Sequence, residues 1–415
     1  MISRQKLFSQ VSYQIIGRVV IAAIGVFVTA LISRHMGVHD FGTFNFLLTL
    51  VYFSYLFADY GLQTLLIRDV AANKNFHSQV SQFLGVRILL SSLVTIVLVI
   101  LSLFLSYSPA VKLSLLILAG GEAVFLLVGV LWAVFQGKVA FGRLVMIQIA
   151  MSIIQAILMI GGILMKSPLL FFACAHTIVN ICGLALSWVG VKKYFSPSLR
   201  PEITVDAARV ILKRGYPFAI GLLVSVAYFK MDTLILGYYF DPQKFPDVGL
   251  YSLAYKPFEV ITVIGGYVSQ TLYPLFVPLI AALKVKHEFK EYAFYSILMA
   301  LAAGVFLYFG APFIIMVLGG AEYVLAALPL KILSLAACVT ILSGYFVAIA
   351  LAGGKEKQLM YYGAVALAAN VVLNVVWVPT GSYIATSWTT VITQTIIMIG
   401  NAYAAWGVVN SQRKI

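Results

Sequence analysis

Residues 88–105 read Ile-Leu-Leu-Ser-Ser-Leu-Val-Thr-Ile-Val-Leu-Val-Ile-Leu-Ser-Leu-Phe-Leu. Eighteen residues pass without a charge, and the only polar groups are serine and threonine hydroxyls. Such hydroxyls can bond back to the preceding helical turn. A helix of about 20 apolar residues crosses the hydrocarbon core of a bilayer. The stretch therefore reads as the body of a transmembrane helix within 80–106.

The pattern recurs along the chain. Candidate spans are 11–33, 42–66, 80–106, 110–136, 141–165, 168–191, 214–238, 249–278, 292–318, 325–352, 358–378 and 382–407. The last two are joined near Pro379, Gly381 and Ser382. Composition agrees: of 415 residues, 62% are hydrophobic and 10% charged, against about 25% charged in soluble domains. The fold class is an all-α integral membrane protein with twelve transmembrane helices. Arg4 and Lys6 precede the first run as in a signal sequence. That run continues to about Ser33 without a small-x-small cleavage site, so it reads as an uncleaved span. Pro257, Pro274 and Pro278 should bend the eighth span, which neighbouring helices can tolerate in a membrane.

Lysines and arginines mark the cytoplasmic side. With the N-terminus inside, twenty of the 28 fall on inward loops and flanks, while Arg34, Lys112, Lys166 and Lys244 fall outside. The other four, Arg18, Lys230, Lys256 and Lys331, lie within spans. This asymmetry supports twelve spans with both termini cytoplasmic. It also explains the net charge of +14 without nucleic acid, since no basic stripe accompanies stacking aromatics.

The longest polar segment, 192–213, holds Pro197 and Pro201. It divides the chain into 1–191, a cytoplasmic linker 192–213, and 214–415, each half with six spans. Asp40-Phe41-Gly42-Thr43-Phe44 follows the first span and Asp247-Val248-Gly249-Leu250-Tyr251 follows the seventh. Both read Asp-apolar-Gly-x-aromatic at the same station, which indicates an internal duplication. Six spans per half give both halves the same orientation, the parallel type of repeat.

A charge inside a span costs about 2.5–3.5 kcal/mol on insertion scales, so it faces a cavity or a partner. The charges are Arg18, Asp59, Arg87, Glu122, Lys230, Asp232, Lys256, Glu259 and Lys331. Lys256 and Glu259 are three apart and can pair on one face. Lys230 and Asp232 point to different faces and need other partners. Arg18 has no acid in its own span; it is either a free cation facing a cavity or a partner of Asp59 or Glu122 across helices. Arg87 and Lys331 lie near span ends and can snorkel to headgroups. Positive-inside topology alone accounts for Arg68, beside Asp69 at the inner end of the second span. Asn370 and Asn374 share a face. They either bond to neighbouring helices or offer carbonyl oxygens to a small cation, with Asp232 as the negative ligand and Thr389, Thr390 or Thr393 supplying a hydroxyl.

Soluble chemistry is sparse. There is no Gly-x-x-x-x-Gly-Lys-Ser/Thr loop and no His-Glu-x-x-His, hence no Walker-type nucleotide site or zincin. His35, His39 and Asp40 read as a solvated outer loop rather than a metal site, and His176 as packing. Cys174, Cys182 and Cys338 fall in apolar runs and read as small hydrophobes.

Several stretches resemble the bacterial polysaccharide transporter family, the O-antigen flippases. They are Ile32-Ser33-Arg34-His35-Met36-Gly37-Val38-His39-Asp40-Phe41-Gly42-Thr43-Phe44 and Phe57-Ala58-Asp59-Tyr60-Gly61-Leu62 with Ile67-Arg68-Asp69-Val70-Ala71. In the second half they are Tyr216-Pro217, Met231-Asp232-Thr233-Leu234-Ile235-Leu236-Gly237, Val248-Gly249-Leu250-Tyr251-Ser252-Leu253-Ala254-Tyr255 and Ala369-Asn370-Val371-Val372-Leu373-Asn374. The resemblance covers nearly the whole chain. It implies two pseudo-symmetric six-helix bundles around a central cavity open to one side at a time, in a superfamily shared with multidrug extruders and the peptidoglycan-precursor flippase.

The implied activity is translocation of undecaprenyl-pyrophosphate-linked oligosaccharide, an O-antigen or capsular repeat unit, from the cytoplasmic to the outer leaflet of the bacterial inner membrane. Arg18, Lys230, Arg87 and Lys256, with Asp59, would form the substrate-binding set. By resemblance to the peptidoglycan-precursor flippase, Asp232, Asn370 and Asn374 would form a sodium site, although Val378 stands where a further polar ligand would help. No cofactor is expected beyond sodium or a proton as coupling ion. A polysaccharide polymerase and a chain-length regulator are candidate partners. The sequence ends after twelve spans, without the two further spans of that flippase, which favours the oligosaccharide branch. Rival readings are a multidrug cation antiporter, whose cavity should be acidic, and a membrane polymerase or glycosyltransferase, which needs larger outer loops.

Overall fold

The computed structural model describes residues 4–72, 76–195, 199–239, 245–281 and 286–411. All regular structure among them is helical: α1 (Arg4–Asp59), α2 (Leu62–Ala72), α3 (His77–Phe104), α4 (Pro109–Gly137), α5 (Phe141–Leu164), α6 (Leu169–Phe195), α7 (Val205–Tyr239), α8 (Phe245–Ala281), α9 (Lys286–Gly319), a 3₁₀ turn (Ala321–Ala326), α10 (Ala327–Ala352) and α11 (Glu356–Ser411). Nine helices among the described residues are long and apolar enough to cross a membrane. Two of these, Ile16–Asp59 and Glu356–Asn410, are far too long for one crossing of a hydrocarbon core about 30 Å thick. Each therefore has the length of two spans, and α7 covers the remaining expected one, 214–238, so each of the twelve expected spans lies mainly on helix.

The doubled helices break at single residues. In α1 the backbone leaves helical geometry at Gly37 (φ 68°), a left-handed region that only glycine occupies freely. In α11 it leaves at Ser382 (φ 50°), whose Oγ donates to the Asp247 carboxylate. The outer loop expected around His35–Asp40 is thus one kinked residue in helix. A third break falls at Tyr60 (φ 48°) and Gly61 (φ 66°), which ends α1 and starts α2 before the expected inner end of the second span. A Cβ on Gly61 would sit 2.5 Å from Phe218 Cβ, so the turn also needs glycine for space. The three prolines of the eighth span lie within the single continuous helix α8.

Packing divides the chain into two compact units, Met1–Met36 with Thr43–Val226, and Gly37–Gly42 with Ala227–Ile415. The boundary thus falls inside α7, beyond the linker read at 192–213. Residues 196–198 of that linker lie outside the described residues. Further along, Glu202 N donates to Ser81 O on α3 at 3.0 Å.

In the first unit α4 packs against α6, α3, α2 and α5. Leu131, Val134 and Phe135 of α4 are fully buried with Leu66 and Val80. Asn180 and Thr177 of α6 donate to the Gly121 and Ile117 carbonyls of α4. In the second unit α10 packs against α8, α11 and α9. There a Cβ on Gly344 would lie 2.2 Å from Gly265 O. Helices in lipid gain little from apolar burial against each other, so small residues that permit close approach and interhelical hydrogen bonds supply the packing. Outward, Phe104, Leu164, Phe309 and Phe313 are strongly exposed, as suits lipid-facing positions.

The segment Gly37–Gly42 belongs to the second unit because of its glycine. A Cβ on Gly42 would lie 2.1 Å from Phe245 O, and one on Gly249 would lie 2.1 Å from Val38 O. The two copies of the Asp-apolar-Gly-x-aromatic signature therefore meet backbone to backbone. Phe41 stacks edge-on against Tyr323, whose hydroxyl donates to Gly37 O at 2.8 Å.

Candidate functional site

In the first unit the interrupted second span creates a polar site. Asp59 ends α1, and Arg87 of α3 reaches it, with Nη2 2.6 Å from Asp59 Oδ1. Nη1 donates to Ala58 O at 3.4 Å, a carbonyl that the helix end leaves unsatisfied. Arg87 is fully buried at 0% exposure, so it does not snorkel to headgroups. Its Nε finds no acceptor among the described residues.

Beside this pair lies a cavity of about 150 Å³ lined by Tyr52, Tyr55, Leu56, Asp59, Gln63, Glu122, Phe125, Leu126, Gly129 and Leu222. Arg18 lies elsewhere on α1, exposed. It does not pair with Asp59, which Arg87 holds.

In the second unit α7, α8 and α11 assemble two sites. Lys256 Nζ lies 3.2 Å from Glu259 Oε2, as the spacing implies, and Lys230 Nζ lies 3.8 Å from Glu259 Oε1. Lys230 therefore has a partner that its own helix did not reveal. Two ammonium groups share one carboxylate, which leaves a net charge of +1, and all three side chains are partly exposed.

Asp232, two residues from Lys230, is buried at 2% exposure. Its Oδ1 accepts from Asn370 Nδ2 and Asn374 Nδ2, both at 2.8 Å. Its Oδ2 accepts from Tyr251 Oη and Thr390 Oγ1, both at 2.9 Å. The expected grouping of Asp232 with Asn370 and Asn374 is present in the geometry, and Thr390 is the threonine that joins it. Val378 is fully buried and brings no polar group. Tyr251 was legible only as the aromatic of the repeated signature; Phe44 fills that place in the first copy and has no hydroxyl.

Four neutral donors around one carboxylate need no cation. Two buried oxygens nevertheless stay without a partner among the described residues, Asn374 Oδ1 and Thr389 Oγ1. Rotating the two amides would present oxygens instead of nitrogens to Asp232. Only a cation between them would hold that arrangement. The donor set fits a small hard cation such as sodium, which takes carboxylate, amide and hydroxyl oxygens.

The remaining candidates lie apart from these clusters. His35 meets Ser167 O at 3.2 Å, and His39 meets Asp40 at 3.0 Å. Lys331 sits 5.6 Å from the Tyr308 ring centroid. At the start of the expected seventh span Arg214 Nη2 bonds Asp69 Oδ1 at 2.5 Å, and between α3 and α4 burial pushes the Tyr107 hydroxyl above its usual range.

Residues 7–280 match the model of the polysaccharide biosynthesis protein family. The chain belongs to that family. No curated protein matches this family member significantly in sequence.

Solved structures share its fold. A multidrug resistance MATE family transporter of the MOP superfamily, in an inward-facing conformation, superposes with a TM-score of 0.74 at 13% identity, over 94% of this chain and 95% of that one. The lipid II flippase MurJ, in an inward closed conformation, gives 0.71 at 15% identity over 97% and 90%. The MATE transporter VcmN of Vibrio cholerae in its bent form gives 0.59 at 14% identity over 99% and 98%. The family member is thus a multi-pass membrane protein of the transporter fold that these share.

Proposed function

We propose that the protein is a flippase for undecaprenyl-pyrophosphate-linked oligosaccharide, an O-antigen or capsular repeat unit, working by alternating access in the bacterial inner membrane. Membership of the polysaccharide biosynthesis family supports the substrate class. The observation that carries the reading is the Lys230–Glu259–Lys256 cluster, with net positive charge and partial exposure on membrane-spanning helices. A diphosphate in bare hydrocarbon is prohibitively costly, and charge-assisted hydrogen bonds from ammonium groups replace its water. Arg18 of the first unit carries a separate exposed positive charge on a membrane-spanning helix. Arg87 and Asp59 take part through the interrupted second span rather than as a free pair. A cationic drug would instead meet a repulsive cluster, which disfavours the antiporter reading.

The Asp232–Asn370–Asn374–Thr390 cluster is assigned to the coupling cation. Its residues would hold sodium through Asp232, the two amide oxygens and a threonine hydroxyl. Bound sodium would supply the positive charge that the buried carboxylate lacks.

The test is complementation of a strain lacking its own exporter. Lys230→Ala, Lys256→Ala and Arg18→Ala should each insert normally and lose surface polysaccharide. Normal surface polysaccharide in Lys230→Ala and Arg18→Ala would sink the reading.

A further inference from the structure

We propose that Glu122 is a proton-binding site of the first unit, loaded when its cavity is sealed and emptied when water enters. Glu122 stands midway along α4 and is 9% exposed. It lines the cavity beside the α1–α2 break, and no hydrogen bond or ion pair joins it to another described residue. A lone carboxylate in a low-dielectric site must find a cation, find donors or take up a proton.

The neighbouring groups leave the third course. From α1 come Asp59, already held by Arg87 of α3, and Tyr55, whose hydroxyl is engaged with Thr95 Oγ1 at 2.6 Å. Tyr52 is the other titratable lining group. From α2 the lining residue is the neutral Gln63, with Arg68 and Asp69 further along that helix. From α6 the titratable groups within the span are the thiols of Cys174 and Cys182 and His176, one turn before the Asn180 that bonds α4. Arg143 stands at the start of α5, and Arg214 of α7 is held by Asp69.

A metal ion is poorly served here. With Asp59 committed to Arg87, the oxygens left are those of Glu122, the Gln63 amide and tyrosines, among aromatic and leucine side chains. Calcium takes six to eight oxygens and magnesium an octahedral set. A proton needs one carboxylate oxygen and closes the charge on its own. Its uptake would be tied to sealing of the cavity, because the ionised form needs water.

The test is pH-difference infrared spectroscopy of the full chain reconstituted in liposomes. The wild type should show the carbonyl stretch of a protonated acid, shifted by D₂O and lost at alkaline pH. Glu122→Gln should lack it at every pH, and Asp232→Asn should keep it. Should Glu122→Gln fail to fold, Glu122→Asp should move the band, and an unmoved band overturns the assignment. Absence of the band from the wild type, or its survival in Glu122→Gln, also overturns it. Sodium at fixed pH should leave the band in place; its loss on adding sodium would assign the carboxylate to a metal cation and overturn the proton site. No glycan enters this measurement, so its outcome is independent of the substrate reading.

Discussion

Arg87 shows how much one side chain can hold in a membrane protein. It compensates Asp59 and takes up the Ala58 carbonyl that the end of α1 frees. Removing one member of a buried pair leaves the other charge uncompensated and costs about 3–5 kcal/mol. Arg87→Ala should lower stability by that amount in denaturant unfolding of the detergent-solubilised protein. Asp59→Ala with Arg87→Ala should cost less than the two single losses combined, because the pair leaves together. Tyr251→Phe is a gentler probe. Phe44 holds the equivalent place in the first copy of the signature, so the ring is kept while the hydroxyl's donation to Asp232 and its 3.2 Å contact with Thr390 Oγ1 are lost. A hydrogen bond to a charged group contributes about 1.5–3 kcal/mol, and thermal unfolding should report a loss in that range. At this scale, legibility followed residue type. Asp232, Asn370, Asn374 and Thr390 stood out as polar groups in apolar runs. Tyr251 did not, since a tyrosine in such a run reads as packing. The Lys230–Glu259 contact joins different helices, which no spacing within one helix can reveal.

Elements are defined here by their breaks. Lysines, prolines and glycines interrupt the apolar runs and so mark the ends of most spans. Nothing comparable marks that spans one and two share a helix kinked at Gly37, or that the second span breaks at Tyr60–Gly61. A one-residue departure from helix leaves almost no compositional trace. The signature Asp-apolar-Gly-x-aromatic was legible as a repeat, but the reason for its glycine was not. That reason is mutual: Gly42 approaches the Phe245 carbonyl, and Gly249 approaches the Val38 carbonyl. Gly249→Ala places a methyl 2.1 Å from Val38 O, so backbone must move. Overpacking of this kind costs about 1–3 kcal/mol, and the expected result is a lowered melting temperature. Val260→Ala, at an exposed position of the same helix, separates the effect from general sensitivity of α8.

Across the whole molecule, the distribution of lysine and arginine makes a claim about orientation that packing alone does not address. Helix count and charge asymmetry are independent, since one rests on apolar length and the other on the residues between the runs. A misplaced span would have reversed the sign of every loop after it. Ser108, between α3 and α4, is exposed and falls on the outward side of this scheme, whereas exposed Arg200 and Lys357 fall on the inward side. Cysteines placed singly at these positions, in a chain with Cys174, Cys182 and Cys338 replaced by alanine, give a direct readout. A membrane-impermeant maleimide should label Ser108→Cys in intact cells and label Arg200→Cys and Lys357→Cys only after permeabilisation. Labelling of Arg200→Cys in intact cells would reverse the topology. It would then put the inner end of the second span, where Arg214 holds Asp69, on the outer face. Cationic side chains there would lie opposite the side that the positive-inside rule assigns them, and the direction of glycan movement would have to be argued afresh.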